Sequence, residues 1–138
     1  MAIMPIASIG KKVGEVRSRL TIPVIANGEI WRWEDGQACL KATGCEDLMV
    51  GRGALNIPNL SLVLKQKLRK KLSWTDIQKI LQKYAEMENF HDSGFYHVAR
   101  IKQWLRYLNK EYPEADIVFE RIKTCQTAED LRERLCQY

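Results

Sequence analysis

Two short apolar runs, each stopped by a glycine-bearing triplet and separated by one helical stretch, constrain this chain more than any other feature. Ile22-Pro23-Val24-Ile25-Ala26 ends at Asn27-Gly28-Glu29, and Cys45-Glu46-Asp47-Leu48-Met49-Val50 ends at Gly51-Arg52-Gly53. Runs of this kind, bounded by turn residues, read as buried strands, with Pro23 tolerated only in the first residues of its strand. Between them Glu34 to Ala42 carries a helical pattern, and Gly44 stands where a left-handed C-cap is expected. Upstream, Ile9, Val13, Val16 and Leu20 recur every three or four residues, which predicts an amphipathic helix over Lys11 to Leu20. Helix, strand, helix, strand with short connections predicts a right-handed parallel βαβ unit.

After Leu60 the strand signals stop. Lys65 to Lys71 holds five basic residues in seven and reads as a linker or a solvated helix end. Ser73 is a good N-cap with Asp76 three residues on, and Trp74, Ile77, Ile80, Leu81, Tyr84 and Met87 mark the buried stripe of a helix to about Asn89. His91-Asp92-Ser93-Gly94 reads as a loop. Phe95 to Lys110 is the strongest helix, with Val98, Ile101, Trp104, Leu105 and Leu108 in one arc. Pro113 opens a helix to about Lys123, and Thr127, followed by Glu129 and Asp130, caps a last one. Trp74, Tyr84, Phe95, Trp104 and Phe119 are the expected aromatic core of this four-helix half. The fold class is thus α/β followed by all-α, over residues 1–60 and 61–138.

At 138 residues the chain has the size of one ordinary domain. No apolar run reaches the roughly 18 residues of a membrane span, and Met1-Ala2-Ile3-Met4-Pro5 lacks the apolar core of a secretory signal, so a cytoplasmic protein with no membrane partner is expected. Cys39, Cys45, Cys125 and Cys136 show no Cys-x-x-Cys spacing and lie far in sequence from His91 and His97, so they read as reduced thiols with no metal. Lys and Arg outnumber Asp and Glu by 22 to 17; through Leu60 the count is 7 to 6, and after it 15 to 11. The basic excess belongs to the helical half, where a nucleic-acid partner and a plainly solvated helix face are both open readings.

In parallel α/β folds the chemistry sits at the C-terminal strand ends. Here those ends are Asn27-Gly28-Glu29 and Gly51-Arg52-Gly53, 24 residues apart. Small residues let a ligand reach backbone N–H groups, Arg52 adds a cation, and a helix expected from Asn56 or Pro58 would aim its positive end there. A phosphate site and plain turn chemistry both fit these triplets. Trp31 and Trp33 fit either a border of that site or packing against the next helix. His97 fits either a structural role or stacking on a base.

Ile22-Pro23-Val24-Ile25-Ala26-Asn27-Gly28-Glu29-Ile30, then Gly44-Cys45, then Met49-Val50-Gly51-Arg52-Gly53-Ala54-Leu55-Asn56 resemble the end of the flavin barrel of tRNA-dihydrouridine synthases. Tyr96-His97-Val98-Ala99-Arg100-Ile101-Lys102-Gln103-Trp104-Leu105 resembles the C subfamily, which modifies uridine 16 of tRNA. The resemblance implies the last two strand-helix units of a TIM (β/α)8 barrel followed by a helical tRNA-binding domain. It puts Asn27, Gly28, Glu29, Gly51 and Arg52 at FMN, with Gly51 and Arg52 around its phosphate. Arg100, Lys102 and Lys123 match positions that orient tRNA. In the family NADPH reduces FMN, the flavin delivers a hydride to uracil C6, and a cysteine protonates C5 of a flipped-out base.

The family's acid cysteine belongs to an Asn-x-Gly-Cys-Pro motif that this sequence lacks, and about six strands of the barrel are missing too. The resemblance therefore reads the chain as a C-terminal fragment with no catalytic residue and only part of the FMN site, inactive alone, its implied partners being tRNA and the missing N-terminal barrel half. Cys45 opens its strand, on the face away from the site, and Cys39 reads as core. A non-enzymatic RNA-binding helical module with a barrel remnant is the alternative. A fragment of an FMN barrel for a small molecule is a third reading, against which the basic motif His97 to Lys102 argues.

Overall fold

The structure, a computed structural model, describes residues 6–65, 70–87 and 95–136, with side chains from residue 10 onward. The chain divides into two compact units, residues 1–71 and 72–138.

The first unit runs α1 (Ile6–Arg19), β1 (Ile25–Asn27), α2 (Trp33–Thr43), β2 (Asp47–Met49), α3 (Gly53–Asn56) and α4 (Leu60–Leu64). The strands pair in parallel, Ile25 opposite Asp47, Ala26 opposite Leu48 and Asn27 opposite Met49. They are shorter than the apolar runs that predict them. Alternation turns Ala26 and Leu48 toward α2, where they join Ile30, Cys39 and Cys45 in a small core. Ile25 and Met49 point the other way and stay 60% and 59% exposed, so the strands read as buried are covered on one face.

α2 ends as its sequence dictates. Gly44 adopts φ 66°, and its N–H donates to the Leu40 carbonyl. The Thr43 hydroxyl donates to Cys39 O and accepts from Cys45 N–H, handing the chain to β2. α1 lies close on α2: a Cβ at Gly10 would stand 2.6 Å from the Ala42 Cβ. Among the described side chains of that stripe, Val13 reaches the core while Val16 and Leu20 remain exposed, which corrects the buried face expected at those two positions. The helix expected from Asn56 or Pro58 is instead two short ones, α3 from Gly53 and α4 from Leu60. Leu60 and Val63 are buried and Leu64 packs on the α2 core, so these residues belong with the first unit and not beyond a boundary at Leu60.

Among the described residues the second unit is helical: α5 (Trp74–Glu86), α6 (Phe95–Leu108), α7 (Glu114–Ile122) and α8 (Ala128–Leu135). Ser73 and Thr127 cap α5 and α8, their hydroxyls accepting from Asp76 N–H and Asp130 N–H, both at 3.2 Å. Ile77, Leu81, Val98, Ile101, Leu105 and Leu108 form the heart of one core that α7 and α8 complete. Gln82 donates to Leu135 O and Arg132 to Ala85 O, tying α5 to α8. Trp74, Tyr84, Trp104 and Phe119 pack on this core as expected. Phe95 does not: at the first position of α6 it is 63% exposed. The expected loop His91–Gly94 and residues 66–69 of the basic cluster lie outside the described residues.

Candidate functional site

Because β1 and β2 are parallel neighbours, their C-terminal ends open on the same edge. The two triplets that follow them come side by side, and Asn27, Gly28, Glu29, Gly51 and Arg52 all line one half-open hollow of about 310 Å³, together with Ile30, Trp31 and Gly53. Arg52 Nη2 donates to Glu29 Oε1 at 2.7 Å. Trp31 Nε1 donates to the other carboxylate oxygen of Glu29 at 3.0 Å, and the Arg52 guanidinium carbon lies 5.3 Å from the centroid of the Trp31 ring. One carboxylate thus fixes both a cation and the ring beneath it. The Arg52 side chain is 63% exposed, so the ion pair orients more than it stabilises.

The glycines of the hollow divide in two. A Cβ at Gly28 or Gly51 would meet nothing within 4 Å, so both leave backbone open to a ligand. A Cβ at Gly53 would lie 2.1 Å from the Ile30 carbonyl oxygen. Gly53 is therefore the point at which the wall after β2 rests on the wall after β1. α3, of four residues, presents too few aligned peptides to supply the positive helix end expected from the sequence.

The three cations assigned to tRNA by resemblance have different surroundings. Arg100 is exposed on α6, donates to Gln103 Oε1 at 2.8 Å, and sets its guanidinium carbon 4.9 Å from the Tyr96 ring centroid. Lys102, two residues on and about 200° around the helix, donates from Nζ to Lys123 O at 2.8 Å and Cys125 O at 2.7 Å. Its charge caps the carbonyl end of α7. Lys123 pairs with Glu120. The structure thus joins Lys102 to Lys123 and leaves Arg100 with other partners. Around the same turn, Arg134 pairs with Asp130 at 2.7 Å and donates to Arg121 O and Thr124 Oγ1. The hydrogen bond from Arg134 holds the Asp130 carboxyl below its ordinary range, and burial pushes the Cys125 thiol up.

Cys39, Cys45, Cys125 and Cys136 are free thiols, the first three buried. Cys45 precedes β2 and Gly51 follows it, about 20 Å of strand apart at ~3.3 Å per residue. Among the described residues no group of three or more His, Cys, Asp or Glu is placed to hold a metal, and no helix is long and apolar enough to cross a membrane.

The dihydrouridine synthase family model matches residues 8–136. The chain belongs to the dihydrouridine synthase family. The tRNA-dihydrouridine(16) synthase of Haemophilus influenzae is 75% identical over 125 residues, 91% of this chain and 40% of that protein. Those of Pasteurella multocida and Escherichia coli K12 are 60% and 50% identical, over 90% and 86% of this chain and 39% and 38% of their own lengths. The chain spans about two fifths of the length of these curated relatives.

In this member of the dihydrouridine synthase family, Trp31 is one of the residues whose place in the sequence fits two roles. Its place under Arg52 and its bond to Glu29 put it in the hollow, and its position just after Asn27-Gly28-Glu29 was the sign of it in the sequence. His97 resolves toward structure, being 7% exposed with its ring 5.2 Å from Tyr84.

Proposed function

We propose that this chain is the C-terminal part of a flavoenzyme that reduces uridine 16 of tRNA to dihydrouridine with FMN and NADPH. The first unit, residues 1–71, contributes the last two strand-helix units of the TIM barrel, and the second, residues 72–138, forms the helical tRNA-binding domain. The observation that carries the reading is the convergence of Asn27, Gly28, Glu29, Gly51 and Arg52 on one hollow at the ends of two parallel strands.

The hollow fits the phosphate end of FMN. Gly28 and Gly51 leave room for an anion to approach the backbone, and Arg52 is exposed and held in place by Glu29 and Trp31. At about 310 Å³ and half open, it stands at the lower limit for a cofactor pocket, which leaves the ring system to other parts of the barrel. Bound flavin supplies the hydride for the uracil ring; this chain's residues orient the phosphate and hold the RNA. Arg100 and Lys123 are the cations that reach RNA phosphates. Lys102 holds the Lys123 and Cys125 carbonyls and adds its charge beside Lys123.

The test compares FMN with riboflavin, which lacks the phosphate, by flavin fluorescence titration. The whole chain should prefer FMN by about tenfold, the scale of one charge-assisted contact, and Arg52→Ala should abolish the preference. It should not retain one FMN per chain through gel filtration, and with FMN, NADPH and unmodified tRNA it should form no dihydrouridine. Equal binding of both flavins would sink the phosphate assignment.

A further inference from the structure

We propose that Tyr96, with Arg100 laid over its ring, is a stacking seat for an unpaired nucleobase of the RNA bound by the second unit. This rests on the RNA-binding reading above and adds a residue to it. His97 is closed to that task by its burial against Tyr84. Its two predecessors on α6 are open: Phe95 is 63% and Tyr96 47% exposed, while the opposite face of α6 is already filled by Val98, Ile101 and Leu105.

Both parts of the seat are oriented before any ligand arrives. The Tyr96 and His97 rings stand T-shaped to one another, with centroids 5.9 Å apart and planes at 87°. The Arg100 guanidinium lies 4.9 Å from the Tyr96 centroid and is anchored at one edge by Gln103. Two flat groups held at the surface offer what an unstacked base requires, a π-face or guanidinium plane to lie against, and their prior order lowers the cost of binding. The charge beside them suits the phosphates that flank such a base, and the excess of 15 basic over 11 acidic residues after Leu60 suits the polyanion. A carboxylate-bearing peptide would use the guanidinium but has no need of the exposed rings, so an RNA base is the better match.

Stacking and phosphate contact respond differently to salt, which makes the proposal testable. Binding of the whole chain to a short oligouridylate and to a ribose-phosphate oligomer of equal length without bases would be measured across a salt series. The wild-type chain should prefer the base-bearing oligomer, and Tyr96→Ala should weaken that binding by about 5- to 20-fold while leaving the log–log salt slope and the base-free oligomer unaffected. Tyr96→Phe should behave as wild type, and Tyr96→Leu as the alanine variant, with unchanged thermal midpoints showing an intact fold. Arg100→Ala should lower the slope for both oligomers by about one. Equal affinity of wild type and Tyr96→Ala would overturn the seat, as would a Tyr96→Ala slope reduced like that of Arg100→Ala, which would make the tyrosine a mere support. No salt-dependent binding of either oligomer by the wild type would remove the RNA-binding reading as well.

Discussion

Gly53 and Lys102 illustrate how single residues hold the two candidate surfaces. At Gly53 the obstacle to a side chain is a backbone carbonyl, Ile30 O, which no rotamer change can move aside. Gly53→Ala is expected to destabilise the first unit by about 1–3 kcal/mol, the usual range for overpacking, whereas Gly51→Ala, with open space around it, should stay within about 0.5 kcal/mol. Urea midpoints of the two variants check this. Lys102 neutralises the carbonyls of Lys123 and Cys125, and Lys102→Met should lower the stability of the second unit by about 1 kcal/mol, a typical value for hydrogen bonds partly open to water; an unchanged midpoint would show that water replaces the ammonium without loss. Residues whose conformation is fixed by neighbours in sequence were readable beforehand: Gly44 as a C-cap, Ser73 and Thr127 as N-caps. Glu29 and Arg52 were assigned to one site and Trp31 to its border or to packing, but the contacts among them were not readable, because loop side chains obey no period and their meeting depends on two segments brought together by strand pairing. Lys102 gave no sign of its carbonyl partners, which lie at and beyond the end of α7 and reach it only through the packing of helices.

At the scale of elements, the helices of the second unit were legible because each repeats its apolar residues at helical spacing over two or more turns. The strands were overextended, since Ile22–Ala26 and Cys45–Val50 carry apolar residues beyond the three paired positions of each strand, and a ladder forms only where both chains run side by side. The start of α8 is built on charge as well as on its threonine cap. Asp130 lies in its first turn and pairs with Arg134 one turn later, an arrangement that also suits the helix dipole. Because the folded carboxyl titrates below its unfolded value, its contribution is complete above the unfolded value and is lost as pH falls through the folded one. Asp76, hydrogen-bonded by the Ser73 hydroxyl at the start of α5, shifts in the same direction. Stability of the second unit should therefore decline on acidification below about pH 4, and Asp130→Asn should flatten that decline. Urea unfolding followed across this range, wild type against variant, tests the sign.

For the whole chain, the two units differ in how completely they are built. Helices α5 to α8 surround one core, with Ile77, Ile101, Leu108, Ile122 and Leu131 fully buried. The first unit rests on two three-residue strands covered on one face, with Ile22, Ile25 and Met49 exposed. An isolated strand pair is marginal in water, and parallel pairs ordinarily need cover on both sides. Backbone amides of Ala26 and Leu48 should thus exchange with solvent well before those of Ile101 and Leu105, a difference that hydrogen exchange read by mass spectrometry would show. Equal protection would mean that the first unit is stable without further cover. This imbalance was foreseeable from a sequence with two strand signals and no third, but which residues would stand uncovered depended on the pleat.

The indole of Trp31 touches both the acid and the base of the hollow, its N–H on Glu29 and its ring beneath Arg52. Tryptophan emission depends on nearby charge, so an anion that draws Arg52 away from the ring would alter the colour or brightness of the light this one residue returns. Since Gly53 braces the far wall against Ile30, the residue immediately before Trp31, a shift after β2 would reach the same indole. The hollow carries an optical reporter of its own, in place before any label is attached.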